Sequence, residues 1–98
     1  MRHFLAIIED HRPDQAVGVW FTDVPGCFSA GDTFDEAMSN APLALAAHMQ
    51  ALRDERLPVP MPRTMDDLRR DPEVAADIKR HIVAVVPYDD GALVDAAE

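Results

Sequence analysis

Glu9, Asp10 and Glu36 are the residues with which this 98-residue chain comes closest to carrying chemistry. Acids brought together from several elements can hold paired divalent ions, which stabilise the attacking and leaving oxygens of a phosphodiester during hydrolysis. Glu9 and Asp10 close one apolar run and Glu36 opens another, so two elements supply carboxylates. A third is missing, because the later run Ile82-Val83-Ala84-Val85-Val86 carries no acid. Glu36 also has a structural use. Thr33 followed three residues later by a glutamate forms a capping box, in which the hydroxyl takes a free helix N–H and the acid reaches back to the cap. Cys27, the sole cysteine, has no nameable oxyanion donors or orienting third group, and reads as a buried structural thiol. A single sulfur makes no internal disulfide. His3, His11, His48 and His81 fall on separate segments without metal-ligand spacing. The residues therefore point to no catalytic site, no metal and no cofactor.

Charge is more informative. Eighteen acids against eight arginines and one lysine give a net charge of −9. Such a field repels a phosphate backbone, which argues against direct nucleic-acid binding by this domain. It also speeds encounter with a basic protein. Glu9, Asp10, Asp14, Asp23, Asp32 and Asp35, near the turns, are the candidate partner-binding acids. Each taken singly also fits a solvated charge or a local cap, Asp32 especially.

The elements that must position these residues follow from periodicity and punctuation. Residues 3–9 form a short strand, 10–15 a polar hairpin loop with a proline, and 16–22 a second strand. Val17, Val19 and Phe21 then share one face and Trp20 takes the other. Pro25-Gly26 marks a turn, and residues 27–30 give a brief third strand in an antiparallel meander. Phe34, Met38, Ala41, Leu45, Met49 and Leu52 recur at three- and four-residue intervals, which predicts one helix to about Glu55, kinked near Met38–Pro42. Leu57-Pro58-Val59-Pro60-Met61-Pro62 is an extended connector. Thr64 with Asp67 starts a short helix 65–70, and Asp71-Pro72-Glu73 starts another to Arg80. Residues 82–86 are a fourth strand, expected to be buried on both sides.

This is one α+β domain spanning residues 1–88 with a short tail, 89–98. Its 48% hydrophobic content suits a folded core. No apolar run is long enough to span a bilayer, and residues 1–4 lack the start of a signal peptide. A cytoplasmic location is the simplest expectation.

Asp23-Val24-Pro25-Gly26-Cys27 and Gly31-Asp32-Thr33-Phe34-Asp35-Glu36-Ala37, in that element order, resemble the N-terminal domain of HicB-like antitoxins. Residues 62–75, from Pro62-Arg63-Thr64 to Pro72-Glu73-Val74-Ala75, are similar to that family too. The resemblance covers roughly residues 3–88. It implies a partial RNase H-like fold whose fourth strand lies beside the first and parallel to it. It also implies a role: binding and neutralising HicA, a small basic mRNA-cleaving toxin. The chain departs from the family in two places. Thr22 stands where proline is common, and eleven residues after Pro87 are too few for a DNA-binding module, so operator binding is not expected. Two other functions fit less of the sequence: an orphan HicB-like interaction domain with a different partner, and a metal-dependent RNase H-like nuclease.

One more expectation concerns the sheet face opposite the long helix. Trp20, and by pleat Phe28, belong there. A sheet covered by a single helical layer leaves them wet, and wet apolar patches usually mark association. Trp20 and Phe28 are therefore the candidate oligomer interface, most simply of a homodimer. The alternative is that residues 65–80 cover Trp20.

Overall fold

A computed structural model describes residues 1–10 and 14–89. The centre of the expected hairpin loop (with His11) and the tail from Asp90 lie outside the described residues. The elements run β1 (Arg2–Glu9), β2 (Val17–Phe21), β3 (Phe28–Gly31), α1 (Phe34–Asp54), α2 (Met65–Arg70), α3 (Pro72–Arg80) and β4 (Ile82–Tyr88). The four strands form one sheet in the order β3-β2-β1-β4, and every neighbouring pair is antiparallel.

β1 is the central strand, and its pleat divides the core in two. Phe4, Ala6 and Ile8 join Val17, Val19, Phe21, Val86 and Tyr88 beneath α1. Leu5 and Ile7 point the other way and meet Leu68 of α2 and Val74 of α3. Fully burying each large apolar side chain stabilises the fold by about 1.5–3 kcal/mol, so both layers matter. On α1 the innermost line is Ala37, Ala41, Leu45 and Met49, with Phe34, Met38 and Leu52 half-buried beside it. The helix continues through Pro42.

The caps act as the sequence indicates, with one adjustment. Thr33 Oγ1 accepts from the Glu36 N–H at 3.1 Å, while Glu36 Oε1 accepts from Asp32 N–H, one residue before the cap, at 3.4 Å. Thr64 caps α2 through the Asp67 N–H at 3.1 Å. Asp71 Oδ1 caps α3, accepting from Glu73 N–H at 3.0 Å and Val74 N–H at 3.5 Å. The last turn of α1 closes through Arg56 N–H to Arg53 O and Leu57 N–H to Leu52 O, with Arg56 in the left-handed region at φ 58°. Gly31 ends β3 where it meets α1 so closely that a methyl group there would fall on the Ala37 amide nitrogen.

Three expectations need correction. β4 lies beside β1 but runs antiparallel to it, with Arg2 opposite Tyr88 and Ile8 opposite Ile82. The reason is the number of helical passes. α1 starts at the end of the sheet where β1 finishes and carries the chain about 30 Å along it, at roughly 1.5 Å per residue. A strand parallel to β1 would start where α1 ends. Instead α2 and α3 carry the chain back, so β4 sets out from the end where β1 stops. Secondly, β4 is an edge strand and not buried on both sides: Ile82, Val83 and Val85 are exposed. β1 is the strand covered on both faces. Thirdly, the second sheet face is not left wet throughout, because α2 and α3 lie over Leu5 and Ile7 and half-bury Trp20.

Candidate partner-binding surface

The pairing register sorts the candidate acids by position. Glu9 pairs with Gly18, Gly18 with Ala30, and Val17 with Gly31. The end of β1, the start of β2, the end of β3 and the start of α1 therefore share one end of the sheet. Glu9 and Asp10 leave β1 there, Asp14 precedes β2, Asp32 follows β3, and Asp35 sits in the first turn of α1. All five are exposed. Asp35 also faces the positive end of the helix dipole, which favours a carboxylate at that position.

Asp23 departs from this group. It lies in the turn after β2, at the opposite end of the sheet, with its side chain only 5% exposed. Its Oδ2 accepts from the Arg63 backbone N–H and its Oδ1 from Arg63 Nε, both at 2.7 Å. The same guanidinium donates from Nη1 to Asp71 Oδ2 at 3.1 Å. Asp23 is thus occupied in tying the β2–β3 turn to the start of α2 and the cap of α3. It is withdrawn from the partner-binding acids. The hydrogen bond from Arg63 holds the Asp71 carboxyl below its ordinary value, with the Glu73 and Val74 amides adding to that effect, and Arg63 is correspondingly raised.

Trp20 and Phe28 are cross-strand partners on the face that carries α2 and α3. Trp20 meets His81 edge-on, with ring centroids 5.2 Å apart at 81°. The helical cover stops there. Phe28 is 70% exposed, Ala30 two residues on is exposed, and a Cβ placed on Gly18 would have nothing within 4 Å. By the period of two, Glu9 belongs to this face as well, in the row Glu9–Gly18–Ala30. The open half of the face is therefore an apolar patch centred on Phe28 with acids along one end. Sequence reasoning found Phe28 and the acids but missed Gly18 and Ala30, which the pleat relation to Phe28 would have supplied.

Of the groups considered for catalysis, Glu36 and Cys27 are held in structural positions. Glu36 is engaged by the α1 cap. Cys27 is buried, and desolvation pushes its thiol above the ordinary value, away from the nucleophilic thiolate. Among the described residues no cluster of three His, Cys, Asp or Glu is arranged to hold a metal ion, and no helix is long and apolar enough to cross a membrane.

Comparison with known proteins agrees with this architecture. The family described as HicB_like antitoxin of bacterial toxin-antitoxin system matches residues 4–98. A chain of the HicA3 and HicB3 toxin-antitoxin complex is similar at 30% identity and a TM-score of 0.68, over 89% of this chain and 98% of that one. The Burkholderia pseudomallei antitoxin HicB is 27% identical with a TM-score of 0.72, over 93% of this chain and 66% of that one. Its N-terminal domain alone matches at 27% identity and 0.68, with 98% of it covered. An uncharacterised 14.9 kDa protein of Haemophilus phage HP1, from the rep-hol intergenic region, is 40% identical over 76 residues. Those residues are 78% of this chain but 54% of the phage protein, so the chain spans about half the length of that curated relative.

Proposed function

Because the chain belongs to the HicB-like antitoxins of bacterial toxin–antitoxin systems, we propose that it binds and occludes a small basic HicA-type mRNA-cleaving toxin and performs no chemistry of its own. The observation that carries this reading is the near-complete match to a chain of a toxin–antitoxin complex, 98% of which is covered. Net charge supports it: at −9 the chain attracts a basic partner and repels the RNA that partner acts on.

The surface we assign to the toxin is the acidic end of the sheet, Glu9, Asp10, Asp14, Asp32 and Asp35, continuing onto the open patch at Phe28. Long-range attraction speeds encounter, and desolvation of an apolar centre holds the complex. Phe28, with the outer edge of Trp20, remains the patch for either toxin or a second copy. Neutralisation by occlusion requires a cytoplasmic location, where the toxin meets mRNA.

Co-expression with an adjacent reading frame for a small basic protein tests the proposal. The two products should co-purify, and the chain should restore growth to cells that express the toxin. Growth arrest unrelieved by a well-folded chain contradicts it. Co-purification with a different protein and no rescue favours the orphan interaction domain. A nuclease reading requires magnesium- or manganese-dependent RNA degradation by the purified chain, abolished by Glu36→Gln.

A further inference from the structure

β3 lies at the side of the sheet away from β4, and its outward backbone groups follow from two independent observations. Thr22 N–H donates to Leu5 O at 3.2 Å, which makes this a hydrogen-bonded pair of β1 and the end of β2. In an antiparallel ladder the two kinds of pair alternate, so Trp20 and Gly18 also turn their peptide groups toward β1. Val19 and Val17 turn theirs toward Ser29 and Gly31 of β3. Phe28 and Ala30 are left directing their N–H and C=O groups away from the sheet. Asn40 of α1 agrees with this parity, because its Nδ2 donates to Ala30 O at 2.9 Å from outside the strand.

Natural edge strands are usually blunted, and α1 blunts this one with side chains. Four residues of helix advance about 6 Å, close to the roughly 7 Å of two strand residues, so the two elements stay in step. Glu36 Oε1 accepts from Asp32 N–H at 3.4 Å, and Asn40, one turn later, reaches Ala30 O. The next residue in the series is Ala44, which lies level with Cys27: the Cys27 Sγ donates to Ala44 O at 3.8 Å. Alanine has no side-chain donor or acceptor to offer Phe28. The closure stops there. Phe28 N–H, Phe28 C=O and Ala30 N–H face outward beside a ring that is 70% exposed.

We propose that this gap is a strand-addition site: an extended segment of the basic toxin joins β3 through those three backbone groups and covers the Phe28 ring, making a fifth strand. The inference rests on the toxin reading and adds the mode of contact. Charge selects the occupant. Between Arg12 and Arg53 the sequence has no lysine or arginine, so β2, β3 and α1 as far as Leu52 carry none. Asp32, Asp35 and Glu36 stand exposed on this base-free stretch, beside the gap. A second copy brought to the same edge opposes acid with acid, whereas cationic side chains on an incoming strand meet complementary charge.

Amide hydrogen exchange of the purified chain, alone and with the small basic protein encoded beside it, tests the site. The Phe28 and Ala30 amides should exchange fast in the free chain and at least tenfold more slowly in the complex. Those of Ser29 and Gly31, already paired with β2, should change far less. Ala30→Pro removes an outward donor that the fold does not use. It should keep the circular dichroism of the wild type and weaken toxin binding at least tenfold; the exchange result decides without it if the variant does not fold. Three results overturn the inference and leave the toxin reading intact: a tight complex in which both amides keep their free rates, slow amides in the free monomer, or undiminished binding by folded Ala30→Pro. Slowing that needs only more of this chain gives the edge to a second copy and overturns it as well. No binding between the two proteins contradicts the toxin reading itself, and the inference falls with it.

Discussion

Asp23 holds Arg63 through both carboxylate oxygens, at 2.7 Å from the backbone N–H and 2.7 Å from Nε, across forty residues of sequence. The pair fastens the β2–β3 turn to the segment that turns the chain back toward β4. Through Nη1, Arg63 also reaches the residue that caps α3. Arg63→Ala leaves the nearly buried Asp23 carboxylate with one donor fewer, a loss of about 1–3 kcal/mol. Urea unfolding at pH 7 measures it.

Acid should shrink that difference. The Asp71 carboxyl is held low in the folded chain, chiefly by Arg63. A depressed carboxyl stabilises the fold above its unfolded value and loses that contribution as pH falls through the folded one. The gap between wild type and Arg63→Ala should therefore stay level from about pH 8 to pH 5 and narrow below about pH 4, where an ordinary aspartate gains its proton. A gap that stays level through that acid range would show that Asp71 takes no part.

Gly31→Ala tests the junction of β3 with α1. The added methyl group meets helix backbone at Ala37, which cannot rotate away as a side chain would. Overpacking of this kind costs about 1–3 kcal/mol, and the upper half of that range is expected here. Thermal unfolding reports it.

Arg56→Gly should act in the opposite direction. Arg56 occupies the left-handed position that ends α1. A side chain there costs about 1–2 kcal/mol, and glycine removes that cost while the greater freedom it gives the unfolded chain offsets part of the gain. A gain of up to about 1 kcal/mol in unfolding free energy, read as a higher denaturant midpoint, is expected, with the helix content unchanged.

Much of this fold is legible in the sequence because its signals are local. Thr33, Thr64 and Asp71 announce helix starts through chemistry complete within three residues. The stripe from Phe34 to Leu52 keeps its phase past Pro42. What sequence does not display is anything decided at long range. A β-branched run such as Ile82–Val86 reads alike in a central and an edge strand, and nothing in it states its direction. That direction is set by two helices returning the chain after α1. Asp23 looks like the other turn acids until Arg63 is found beside it. The period of two puts Trp20 on the face away from α1, but whether α2 and α3 reach it is a question of tertiary packing. Phe28, one strand further out, escapes that cover.

The acidic end of the sheet makes a kinetic prediction. Reversing Glu9, Asp10 and Asp14 to lysine together should slow association with a basic toxin by about tenfold or more at low salt, and flatten the dependence of the on-rate on ionic strength. Stopped-flow fluorescence at two salt concentrations reads both. Unchanged rates would remove this end of the sheet from the interface.

The most direct test of stoichiometric occlusion is a titration of purified HicA-type toxin, cleaving a defined mRNA, with increasing amounts of this chain. Cleavage should fall in a straight line and reach zero at a fixed molar ratio, with no dependence on incubation time. Undiminished cleavage at a large excess of folded chain would contradict the account.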